Sequence, residues 1–118
     1  MGLSTHVLDT ARGCPAAGMG WALYRLGADG ARGLLKQGTT NADGRNGDGH
    51  LLSYEELEVG RYQLVYQVAA YYRAAGVELP EPPFLDEVTL AFGIWDVTKH
   101  YHVPLLCSPY GYTTYRGS

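Results

Sequence analysis

Apolar and polar positions alternate along most of this chain with a period of two, the spacing of a pleated strand whose side chains point to opposite faces. Residues 3–10 place Leu3, Thr5 and Val7 on one face and Ser4, His6 and Leu8 on the other. Both faces are partly apolar, so neither reads as an ordinary solvent face, and the pattern predicts a strand with a second covered surface. Residues 19–26, rich in Trp and Tyr, predict another strand, closed by Gly27-Ala28-Asp29-Gly30 and followed by a third around residues 32–39. Tyr62, Leu64, Tyr66 and Val68 alternate over residues 61–68, and Leu90, Phe92 and Ile94 over residues 88–96. The final region predicts two more strands, broken near Pro109-Tyr110-Gly111. Read as strand, its His100 and His102 share one face, opposite Tyr101 and Val103.

Turn chemistry separates these runs. Residues 11–18 read as a loop punctuated by Gly and Pro, and residues 40–49 carry Asp43-Gly44, Asn46-Gly47 and Asp48-Gly49 in succession. A short strand over residues 50–54 is expected to pair back after that turn, with Glu55, Glu56 and Glu58 in a solvated loop leading to Gly60. Residues 69–75 have helix-forming composition and Gly76 supplies a stop, which predicts one short helix. Pro80, Pro82 and Pro83 make an extended connection. Seven or eight short strands with one short helix predict an all-β sandwich, a single domain over residues 1–118 without internal repeat or linker.

Charge narrows the function classes. The formal net charge is −3, and no window of five residues holds more than two Lys or Arg. Neither a nucleic-acid patch nor a polybasic membrane contact is expected. No apolar run approaches the roughly 20 residues that span a bilayer. The beginning shows no basic segment followed by a hydrophobic core, and the Arg-Gly-Ser end is not a peroxisomal address. Cys14 and Cys107 are expected as reduced thiols in a cytoplasmic protein.

The polar features that stand out are His6, Arg45 in the Asp-Gly-Arg turn, the His100/His102 pair and the terminal Tyr115-Arg116-Gly117-Ser118. Taken singly, a strand histidine is more often a satisfied structural group and a turn arginine merely solvated. As a set they allow two chemistries. His6 with the His-X-His pair could form a three-histidine zinc site. Against this, no Asp or Glu lies close in sequence to orient the imidazoles, and Arg45 would repel a cation. No metal and no cofactor are therefore expected. A nucleophilic mechanism is weaker still: Ser108 precedes a proline, Ser118 is terminal, and Cys14 lacks an evident partner.

Residues 3–17, Leu-Ser-Thr-His-Val-Leu-Asp-Thr-Ala-Arg-Gly-Cys-Pro-Ala-Ala, resemble the N-terminal signature of the 5-hydroxyisourate hydrolases, the transthyretin-like enzymes of urate breakdown. Thr40-Asn-Ala-Asp-Gly-Arg45 resembles their central turn, and residues 100–118 their C-terminal signature. Cys107, where an aliphatic residue is usual, and Thr114, where Ser is common, depart from that signature; Cys107 could bring sensitivity to oxidation. The resemblance implies a transthyretin-like sandwich that assembles as a homotetramer, a dimer of dimers, with active sites in a channel where the dimers meet. It implies metal-independent ring opening of 5-hydroxyisourate by activated water. It places His6, Arg45, His102 and Ser118 in the catalytic set, with His6, Arg45 and Tyr115 binding substrate and His100 secondary. Which histidine removes the proton stays open. The competing class is a carrier of small aromatic ligands of the transthyretin type, which has no need of those residues together.

Overall fold

The computed structural model describes residues 2–117, and within them the predicted sandwich is realised as two four-stranded sheets. The strands are β1 (Leu3–Asp9), β2 (Cys14–Pro15), β3 (Gly20–Leu26), β4 (Arg32–Thr39), β5 (Gly60–Gln67), β6 (Glu87–Ile94), β7 (Tyr101–Ser108) and β8 (Gly111–Thr114). Helix α1 (Val68–Ala74) follows β5 directly. One sheet has the order β2-β1-β7-β8 and the other β4-β3-β5-β6. Every pairing is antiparallel except that of β1 with β7, which runs parallel and joins the two ends of the chain.

Alternation decides which faces meet. Leu3, Thr5, Val7 and Asp9 of β1 point inward, with Leu23, Tyr62, Leu64, Tyr66, Leu90 and Leu105 among the buried residues of the core. Thr5 is a polar member of that core, and both its hydrogen-bonding capacities are used. Its hydroxyl donates to the Val103 carbonyl at 2.7 Å and accepts from Tyr66 at 2.6 Å. The even-numbered residues Ser4, His6 and Leu8 stand on the outer face of the same sheet.

Two expectations are corrected. Residues 50–54 form no strand: Leu52 makes a single bridge to Leu3, after which Tyr54–Glu56 turn once as a 3-10 helix. The Ser53-X-X-Glu56 pairing explains this, since the Glu56 carboxylate accepts the Ser53 N–H at 2.9 Å and starts a helical turn where an apolar pair suggested a strand. The loop over residues 11–18 in turn contains the two-residue strand β2, folded back onto β1. The Asp9 carboxylate makes that reversal by accepting the Arg12 N–H at 3.0 Å.

Asp9 is 1 % exposed and is also held by the Tyr71 and Tyr72 hydroxyls of α1, each donating at 2.8 Å. This network ties the helix to the sheet that carries β1 and β7. Tyr72→Phe should cost about 1–3 kcal/mol, because a buried carboxylate loses a donor that water cannot replace. Urea denaturation measures it, and an unchanged midpoint would show that Asp9 is satisfied without Tyr72. Cys14 and Cys107 are free thiols. Cys107 is fully buried, and burial pushes its thiol up to about 11. The expected oxidation sensitivity is therefore not a property of this site, since a buried neutral thiol is inert.

Candidate active site

The parallel register sets β1 and β7 side by side, with Ser4 opposite His102 and His6 opposite Pro104 on the outer face. Residues at the same parity on both strands share that face, so a histidine from each end of the chain reaches one surface. Arg45 arrives from the turn at residues 41–45. Asn41 organises this turn, its side-chain oxygen accepting the N–H groups of Asp43 (2.9 Å) and Arg45 (3.1 Å). Gly44 then docks on β1, its carbonyl accepting the Val7 N–H at 2.8 Å. Its φ of +76° suits glycine, and a Cβ there would collide with the Val7 carbonyl. That contact leaves the residue after Gly44 beside the residue before Val7.

The electrostatics follow from this placement. Both imidazoles lie below their ordinary value of 6.5, first because burial disfavours the charged ring and next because of the Arg45 guanidinium. Opposing these for His6 are a hydrogen bond with the Asp43 backbone and the charge of Asp43. His102 also responds to His6 and His100. The His100 and His102 rings lie nearly parallel, 6° apart in plane with centroids at 6.5 Å, as their shared face predicted. The arrangement thus offers two imidazoles biased toward the neutral form, with the Arg45 guanidinium beside them. That combination can activate water and receive negative charge.

His102 is held from two sides. Its Nδ1 is 2.8 Å from the Ser4 hydroxyl. On the other side Gly117 donates its N–H to the His102 carbonyl at 2.8 Å, and a Cβ at Gly117 would lie 2.7 Å from ring atom Cδ2. The terminus is anchored by Arg116, whose guanidinium lies 5.1 Å from the Trp95 ring centroid and 5.2 Å from that of Tyr101 while donating to the His100 carbonyl at 2.9 Å. Trp95, though 57 % exposed, therefore helps to fasten the chain end.

Of the residues singled out from sequence, His6, Arg45 and His102 act on one another. Tyr115 is 59 % exposed and lines a cleft of about 510 Å³ between the β6 and β8 edges, with Trp95, Tyr101 and Arg116. None of His6, Arg45 and His102 lines that cleft. Ser118 lies outside the described residues. Among the described residues no group of three or more His, Cys, Asp or Glu side chains is placed to hold a metal ion, so the three-histidine zinc reading has no cluster there. Arg116 and Gly117 belong to the terminal stretch singled out from sequence, whereas Ser4 was not singled out there. Ser4 shares the His6 face by parity, but only the register of β1 against β7 reveals that it meets His102.

The HIUase/Transthyretin family model matches residues 3–117. The 5-hydroxyisourate hydrolase 2 of Rhizobium meliloti (strain 1021) is 56 % identical over 116 residues, covering 98 % of this chain and 95 % of that protein. Among solved structures, Klebsiella pneumoniae 5-hydroxyisourate hydrolase matches over the full length of both chains with a TM-score of 0.79 and 35 % identity. Sea bream transthyretin in complex with thyroxine matches with a TM-score of 0.87 and 26 % identity, over 99 % of this chain and 95 % of that one.

Proposed function

This chain belongs to the HIUase/Transthyretin family, and from that premise we propose that it hydrolyses 5-hydroxyisourate, adding water at a ring carbonyl carbon and opening the ring to 2-oxo-4-hydroxy-4-carboxy-5-ureidoimidazoline. The observation that carries this reading is the parallel register that sets His6 and His102 on one outer face, with the turn bearing Arg45 docked alongside through the Val7–Gly44 hydrogen bond. A passive carrier has no use for that arrangement. Enzyme relatives at 56 % identity over nearly the whole chain favour the hydrolase over the transthyretin-type carrier.

In the reaction, an imidazole takes a proton from water as its oxygen bonds to the carbonyl carbon. The carbonyl electrons move onto oxygen, where Arg45 opposes the developing charge. Collapse of that adduct breaks the carbon–nitrogen bond, and the proton passes to the leaving nitrogen. Ser118 is assigned, as part of this proposal, to orienting the ring or the proton relay, whereas Tyr115, on the cleft that His6, Arg45 and His102 do not line, is given no part in the chemical step. No step calls on a metal or an organic cofactor.

The outer face bearing His6 also carries Leu8 and Leu106, both half-buried. We place it at the contact between dimers in a homotetramer, where a second copy roofs the site; light scattering giving the mass of a single chain would oppose this. Two free thiols suit a cytoplasmic setting. Among the described residues no helix is long and apolar enough to cross a membrane.

The direct test generates 5-hydroxyisourate from urate and follows its ultraviolet decay with and without the protein; decay at the spontaneous rate would reject the assignment. Because both imidazoles sit below 6.5, the rate should hold as pH falls to that value and decline only beneath it. Arg45→Gln should lower kcat by about 10²–10³-fold, the usual effect of losing one donor to a developing oxyanion. It should also raise the apparent pKa of the acid limb, since the cation that disfavours imidazolium is gone. An acid limb that does not move would separate Arg45 from the histidines. The same shifts bear on stability: the unfolded chain takes up protons first, so acid below 6.5 favours unfolding until the folded histidines are themselves charged.

A further inference from the structure

We propose that Ser4 is a positioning residue for His102: its hydroxyl accepts the Nδ1 proton and holds the imidazole in the tautomer whose Nε2 can take a proton from water. This deepens the hydrolase reading and rests on it. The geometry is specific. Ser4 and His102 are register partners on neighbouring parallel strands, the Oγ–Nδ1 distance is 2.8 Å, and Ser4 is only 3 % exposed although it stands on the outer face of its sheet. A buried partner is not readily replaced by solvent, so the bond persists while the rest of the ring faces the site. Gly117 lies close to the Cδ2 edge, where an added Cβ would come within 2.7 Å, which narrows the space left for the ring to turn.

The choice of hydroxyl over carboxylate has a chemical meaning. A carboxylate at Nδ1 would orient the ring and also stabilise the imidazolium, raising the pKa of the base. Serine orients the ring without adding charge, leaving the surrounding cationic and titratable groups to set its basicity. Those acting on His102 are Arg45 from the turn, His6 from β1 and His100 ahead of β7, and all three disfavour the protonated ring. When Nε2 takes the proton, Nδ1–H keeps donating to Ser4, so the hydrogen bond survives the proton transfer without rearrangement.

The test joins kinetics to a readout of the ring itself. Ser4→Ala should lower kcat by up to about 10²-fold, the penalty of a loosened catalytic group, with KM little changed; Ser4→Thr, which keeps the hydroxyl, should recover most of the loss. In the unaltered protein, ¹⁵N spectra of the imidazoles should show neutral His102 with its proton on Nδ1, and Ser4→Ala should give a mixture of tautomers. An Nε2-protonated His102 in the unaltered protein would overturn the proposal, as would wild-type kcat in Ser4→Ala. The tautomer measurement needs no substrate. Inactivity of the unaltered protein on 5-hydroxyisourate would count against the hydrolase reading and leave the spectrum to judge Ser4.

Discussion

His102→Ala is expected to lower turnover of 5-hydroxyisourate by about 10²–10⁴-fold, the range that general-base assistance supplies, while the assembled state measured by light scattering stays that of the parent. The imidazole is half-buried on the outer face, so its loss opens no hole in the core between the sheets. It does remove the partner of the buried Ser4 hydroxyl, at a cost of about 1 kcal/mol, which a thermal melt would read as a shift of several degrees. Turnover and stability should therefore separate widely in scale. Added imidazole should restore part of the rate if the missing function is a base. A variant with parental kcat would withdraw the proton-transfer role from His102 and move it to His6.

Gly117→Ala should be nearly as damaging, through one methyl group. The added Cβ would lie 2.7 Å from His102 Cδ2 and 3.2 Å from its Cβ, closer than carbon atoms pack. Either the terminus lifts, losing the hydrogen bond from Gly117 to the His102 carbonyl, or the ring rotates and leaves Ser4. Displacement of about 1 Å at a catalytic group can cost about 10²-fold, so a kcat loss of at least that size is expected, with a melting temperature lowered by no more than the several degrees that one lost hydrogen bond accounts for. The clamp of Trp95 and Tyr101 on Arg116 opposes lifting of the terminus and favours rotation of the ring. Full activity in this variant would show that the chain end does not govern the position of His102.

Much of the fold was legible because alternation reports burial. Tyr62, Leu64 and Tyr66 read as one face of a strand and prove to be core, and Leu90 and Ile94 across the ladder do the same. Single-residue patterns failed where local hydrogen bonding competed: Leu51 and Leu52 suggested a strand, but Ser53 and Glu56 close a helical turn. The site was legible in its parts and not in its assembly. Parity places Ser4 beside His6 and His100 beside His102, yet nothing in a linear pattern says that β1 lies against β7, or in which direction. The convergence of His6, Arg45 and His102 was available only through resemblance to a family. Its physical cause, the docking of Gly44 on Val7 and the parallel register, is a long-range fact.

That parallel register also imposes an order of events. β1 precedes its neighbour β7 by nearly the whole sandwich, so during synthesis it emerges from the ribosome long before its partner exists. Pairings of such separation form slowly, because the intervening chain must be brought into place before they are rewarded. His6 and Arg45 can be present in a chain halted before Tyr101, but His102 and its serine-bonded geometry cannot. On the proposed mechanism, a chain halted there would lack one of the two imidazoles that share the outer face.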